Sequence, residues 1–333
     1  MSVTQPFYFP GKQKLAGEIA GIREMIAGLS LAETRLFVRY GVIGLSYRYA
    51  VASELAKHLE ERVTRFKAIQ VYLSSRPFAS PRKRMEKHIV EMKQILLQKN
   101  LDEVRAGRDI IWAKLNLFLD LPGPIVVRSP WFNRGEVLDR EALLAKVEHG
   151  NIDYKRQVLV LDRTLKETDL ARTFSYPDFG LSFLYHEDRA QETERFVGAG
   201  ISFTVPLWNA NRDGVKSLEA AVEAEKSRTA FVKREVIQTF TSSFIAFEIA
   251  RSNLERLPMT MLDDVHARLL DADESFNADL IDLVTYGEVE SQAFETHLAV
   301  LSAQHEYVEK YMALFILQGR EDFTLPAPAR KNP

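Results

Sequence analysis

The sequence contains no cysteine, which excludes disulfides, thiolate metal sites and a cysteine nucleophile, and suits an oxidising compartment. Neither sign of charge is in excess: 44 Lys and Arg against 46 Asp and Glu leave a net charge of −2, so no polyanion-binding surface is expected. No apolar run approaches the 18 residues of a transmembrane helix. The opening stretch MSVTQPFYFPGKQK has no apolar h-region, so no signal peptide is expected in it. Catalytic signatures are missing as well. There is no P-loop, no GxGxxG after a strand and no GxSxG. The histidines never form HxxxH or HExxH. His297 and His305, eight apart, read as solvated helix residues rather than zinc ligands. Arg82-Lys83-Arg84 is too short a basic run for nucleic acid. Neither catalysis, nor a metal, nor a cofactor is expected.

What the chain does have is helical periodicity. Apolar residues recur at three- and four-residue steps over 12–75, 81–120, 137–173, 209–275 and 280–318. The third of these should break near Gly150, and the fourth should kink or break at Pro258. Ser80 and Pro81 suit an N-cap and a first helical residue. Helices over 12–75 and 209–275 would each run roughly 95–100 Å at 1.5 Å per residue. Such helices need lateral partners along their length, hence a coiled-coil bundle. The glycines at 17, 21, 28, 41 and 44 cost helix stability, or mark places where helices approach closely.

Between the helices the period switches to two. PDFGLSFLYHE puts Phe179, Leu181, Phe183 and Tyr185 on one face; RFVGAGISFTV does the same with Val197, Ala199, Ile201, Phe203 and Val205. Small and polar residues alternate with them. Two such segments, 177–186 and 195–205, predict an antiparallel hairpin. It could lie on a soluble core, or it could belong to an outer-membrane barrel with these residues facing lipid. A lone hairpin could not insert, because every backbone polar group in lipid must be paired. It would have to share a barrel with other subunits.

The chain also repeats itself. QPFYFPGK (5–12) enters the first long helix as VPLWNANR (205–212) enters the second, aligning Lys12 with Arg212. RPFASPRK (76–83) interrupts the first pair of helices as ESFNADLI (274–281) interrupts the second, aligning Phe78 with Phe276. LNLFLDLPG (115–123) and MALFILQG (312–319) close the two halves.

Three segments resemble the TolC-like outer-membrane efflux proteins, in the branch serving heavy-metal and related resistance-nodulation-division pumps. They are TQPFYFPGKQKL (4–15), VGAGISFTVPLWNANRDGV (197–215) and LPMTMLDDVHARLLDADESFNADLIDLV (257–284). The resemblance spans 4–318. It implies a mainly α fold, with two repeats of very long antiparallel coiled-coil helices and a short β-hairpin given to a shared barrel. It implies a homotrimer in the outer membrane and periplasm, working with a periplasmic adaptor and an inner-membrane pump. Against that family the first strand of the first hairpin and the helix before it are missing, and Val3–Phe9 is what remains of the second strand. The chain therefore reads as truncated or as a lineage that lost the piece.

The division expected is a first repeat at 1–123 with its tip near 76–81, a connecting segment at 124–176, the barrel hairpin at 177–206, a second repeat at 207–319 with its tip near 275–279, and a tail at 320–333. At the tips, Asp279 and Asp282 are either helix N-terminal acids or a weak acidic constriction. Phe78 and Phe276 either pack the turns or meet the adaptor. Arg82, Lys83 and Arg84 oppose the helix dipole and call for compensation. The function implied is a passive export duct. The alternative is a soluble coiled-coil structural or adaptor protein.

Overall fold

The computed structural model describes residues 2–8, 11–75, 81–127, 130–188, 194–204, 211–323 and 325. Phe78, Arg76, Ser80, Val205 and Pro206 lie outside the described residues. Along the chain run β1 (Ser2–Phe7), α1 (Lys12–Ser75), α2 (Pro81–Leu119), α3 (Arg140–Gly150), α4 (Ile152–Thr173), β2 (Asp178–Asp188), β3 (Glu194–Thr204), α5 (Arg212–Arg256), α6 (Met261–Asn277) and α7 (Leu283–Leu317).

Local chemistry sets these boundaries. Pro81 opens α2, where its missing N–H costs nothing. Asn151 divides α3 from α4 and caps the latter, its Oδ1 accepting from the Tyr154 N–H at 3.0 Å. At Pro258 the helical run stops. α5 ends at Arg256, α6 begins at Met261, and the Thr260 N–H is taken by Asn133 Oδ1 at 3.2 Å. Asp282 extends its backbone and caps α7 through the Thr285 N–H at 2.8 Å.

The internal repeat is visible in the backbone. Gly11 and Asn211, 200 residues apart, are both left-handed, with φ of 101° and 54°, and each stands just before a long helix. Asp120 and Gly319, 199 apart, are left-handed at the far ends of α2 and α7, with φ of 48° and 64°. At Asn211 this conformation folds the side chain back over Gly214, where an added Cβ would sit 2.3 Å from Asn211 Oδ1.

The described residues pack as two units. The first comprises Met1–Thr34 and Leu144–Thr239, the second Arg35–Leu143 and Phe240–Pro333. The first holds a three-stranded antiparallel sheet in the order β1-β2-β3. Beside it α4 is laced to α1 by Lys166–Glu18 at 2.7 Å and to α5 by Arg172–Glu219 at 2.8 Å. The second unit is built on α7. Its residues 286, 290, 293, 297, 300, 304, 307, 311 and 314 are all buried, an unbroken alternation of four- and three-residue steps. That is a strict heptad seam, 3.5 residues per turn. The irregular segment after α2 is pinned to it: Gln304, fully buried, accepts from the Phe132 N–H at 2.9 Å and donates to the Phe132 carbonyl.

The glycines in α1 do not mark close approaches within the described chain. A Cβ at 17, 21, 28 or 41 would meet nothing within 4 Å; only Gly44 has a neighbour, Met312 Cε at 3.3 Å.

Candidate functional site

Two surfaces carry the candidate residues, one in each unit. In the first unit the register Phe179↔Phe203, Leu181↔Ile201, Phe183↔Ala199 and Tyr185↔Val197 puts every predicted apolar position from Phe179 to Phe203 on one face. β1 extends that face, pairing Phe7 with Phe179 and Val3 with Phe183, and the Phe7 and Phe179 rings stack at 5.3 Å. The face is uncovered: Phe203 is 68 % exposed, Ile201 67 % and Phe183 55 %. Behind it, glycine and serine interlock. Gly180 pairs with Ser202 and Ser182 with Gly200, and each hydroxyl donates to the carbonyl of the glycine opposite, at 3.4 and 3.1 Å. This second face also carries Leu184 and Phe196, so it is mixed rather than wholly small and polar.

One buried cation joins the sheet to the helices of its unit. Lys12, at the head of α1, donates to both carboxylate oxygens of Asp178 at 2.8 Å and lies over the Phe174 ring. Asp178 is the first residue of β2, so the strand starts from a fixed point on the helix.

In the second unit the two helical ends come together. Phe276 is buried with Phe66, Leu73, Val90, Leu283 and Tyr286, its ring 5.0 Å from that of Tyr286. Its place is in the packing of the turn. Asp279 is not a helix N-terminal acid. It sits in the turn after α6 with φ +55°, its N–H bonded to the Phe276 carbonyl at 3.1 Å. Asp282 is the cap of α7 and also accepts from Arg82 at 3.3 Å; the Thr285 N–H first, and then Arg82, hold its carboxyl below the usual range. Arg82 pairs in addition with Glu86 at 3.1 Å, and Lys83 with Glu86 at 3.3 Å. Arg84 is exposed on the first turn of α2. The basic run is thus compensated in part within its own chain.

Pattern reading passed over the polar residues of the α1–α7 seam. Arg62 and Glu290 form an ion pair that is 5 % and 2 % exposed, with Arg62 Nη2 at 2.7 Å from Glu290 Oε2. Lys93 of α2 stands 3.6 Å from the same carboxylate. His297 is not solvated: it is buried and stacked on His58, ring centroids 3.9 Å apart. His305 is partly covered and accepts from Arg48 Nε at 2.9 Å. Glu290, His297, Gln304 and Tyr311 recur every seven residues on α7. Arg62 falls in the stripe Leu59, Arg62, Phe66, Ile69, Leu73. A charge at a core spacing was the available signal. Among the described residues no cluster of His, Asp and Glu could hold a metal ion, and no helix is long and apolar enough to cross a membrane.

Long helices in two repeats with a small antiparallel sheet make up the fold of the TolC-like outer-membrane channels. The chain is similar to the solved Campylobacter jejuni CmeC outer membrane channel, at 12 % identity and a TM-score of 0.78, over 96 % of this chain and 70 % of that one. It is similar to CusC at 10 % identity and a TM-score of 0.77, over 95 % and 76 %. It is similar to the outer membrane protein VceC of Vibrio cholerae at 12 % identity and a TM-score of 0.74, over 96 % and 78 %. At such identities the likeness is one of fold. No protein-family model and no curated protein matches the chain.

Proposed function

We propose that this chain is a subunit of an outer-membrane export channel, a passive duct in which the sheet stands in the membrane and the long helices wall a periplasmic tunnel. The observation that carries the reading is the uncovered apolar face of the sheet. Phe7, Phe179, Leu181, Phe183, Ile201 and Phe203 share it, and a hydrocarbon environment is the one in which their exposure costs nothing. The fold shared with CmeC, CusC and VceC supports it. Among the described residues the outer edges of β1 and β3 have no strand partner. Backbone groups in lipid need one, which favours a barrel shared among subunits, as in a homotrimer.

On this reading the hairpin at 177–206, with β1 as the end of a further barrel strand, is the barrel element, and the helices of the two repeats at 1–123 and 207–319 are tunnel wall. The segment at 124–176 connects them. The tips, with Asp279, Asp282, Arg82, Lys83 and Arg84, face a periplasmic adaptor and an inner-membrane pump. Residues 257–284 favour a pump of the heavy-metal resistance-nodulation-division branch. Cell fractionation followed by planar-bilayer recording tests the core of the reading. The expected result is a protein found in the outer membrane that needs detergent for extraction and conducts ions. Recovery in the soluble fraction without detergent, and no conductance, would leave the soluble coiled-coil module instead.

A further inference from the structure

His58 of α1 and His297 of α7 face each other across the seam of the second unit. Each is more than nine-tenths buried; the rings lie 3.9 Å apart with planes 10° from parallel, and Phe294 continues the stack at 6.0 Å from His58. The Nε2 atom of each is buried without a hydrogen-bond partner in the described structure. An imidazole lone pair lies in the ring plane. In near-parallel rings the two lone pairs do not converge on one point, so the arrangement is not a shared metal site.

The groups that act directly on the two rings all oppose a proton there. Arg62 and Arg65 of α1 and His266 of α6 act on His58, and Lys57 of α1 acts on His297. The buried carboxylate of the seam, Glu290 of α7, is already held by Arg62 and by Lys93 of α2, and Asp273 of α6 stands 3.9 Å from Arg65. A proton on either ring would therefore sit beside a second imidazole and several cations, out of water.

We propose that the His58–His297 stack makes the α1–α7 seam an acid-released latch, closed while both rings are neutral and opened by protonation. Burial first, then the His297 ring and the arginines, hold His58 down to about 3; burial first, then Lys57, holds His297 down to about 4, from an ordinary 6.5. The closed seam thus refuses protons that the open seam takes up. Its stability is complete above pH 6.5, falls as the pH drops below that value, and levels off only near the depressed values. Each histidine shifts the opening equilibrium roughly tenfold per pH unit across that window. The inference concerns the seam itself and stands whether or not the chain forms a channel.

Hydrogen exchange of the full chain between pH 7.5 and 5, corrected for intrinsic rates, tests it, with α4 as an internal reference. Protection of residues 52–66 and 291–303 should fall at least tenfold more than that of α4. In a His58→Phe, His297→Phe variant, which keeps two stacked rings and cannot titrate, the excess loss should vanish. Parallel loss in parent and variant would overturn the proposal. Imidazole resonances of the parent give a reading that needs no variant. Titration of both rings near 6.5 with the helices still protected would also overturn it; rings that stay neutral until the helices open support it.

Discussion

Glu290 stands at a heptad position where a coiled coil ordinarily places leucine or isoleucine. It is tolerated because Arg62 and Lys93 approach it from two other helices. A buried pair of this kind adds little net stability, since desolvation offsets the attraction, but losing one partner strands a charge. Glu290→Ala should therefore lower stability by about 3–5 kcal/mol in denaturant titration, whereas a paired Arg62→Met, Glu290→Leu replacement should recover much of it. The polar residues of the seam also suit a role in register. Arg62 meets Glu290, His58 meets His297 and Tyr47 meets Gln304, so a one-heptad slip of α7 would mismatch all three. None of these pairs was legible in the sequence. Arg62 stands in step with Leu59, Phe66, Ile69 and Leu73, a signal that pattern reading passed over, and nothing in that spacing says which carboxylate, 228 residues away, would reach it.

Among elements, the break between α5 and α6 has two causes that can be separated. Pro258 removes an N–H and clashes with the preceding turn, while Asn133 takes up the Thr260 N–H in the gap. With Pro258→Ala, amide exchange across 259–261 should slow as the helix closes, and stability should not fall, because proline in a helix interior costs about 3 kcal/mol. Unchanged exchange would assign the break to Asn133. The sheet rests on close packing of its Gly/Ser pairs, where a Cβ at residue 200 would come 2.8 Å from Ser182 Oγ. Gly200→Val should destabilise the sheet by about 1–3 kcal/mol in a detergent melt, and Ser182→Ala should relieve part of it. Most elements could be read from the sequence because each depends on local signals: Pro81, Gly150-Asn151, Pro258 and the period-two alternation of 178–204. The start of α7 was misjudged by three residues. Leu280 continues the apolar spacing, but Asp279 turns left-handed and Asp282 takes the cap.

At the scale of the whole molecule, the proposed channel would have the tips bear on gating. Arg82 already has Glu86 and Asp282 within its own chain, so the basic run at the head of α2 would have only part of its charge left for the other subunits of the proposed channel. Substituting Arg82→Glu, Lys83→Glu and Arg84→Glu would place like charges against those carboxylates. Bilayer conductance of the assembled protein should rise at low salt and change little at 1 M, where the screening length is about 3 Å. Equal conductance of parent and variant at low salt would reduce the run to a solvated surface. The sequence by itself determined the helices, the hairpin and the two-fold repeat, because periodicity, proline and capping residues act within a few positions of where they stand. It also placed the apolar face of the sheet, since alternation allows only one arrangement once two strands pair. Only the tertiary structure decided the partners: Lys12 with Asp178, Arg62 with Glu290, His58 with His297. Those contacts join residues more than 160 positions apart, and burial and charge act through space, where the order of residues along the chain carries no record of them.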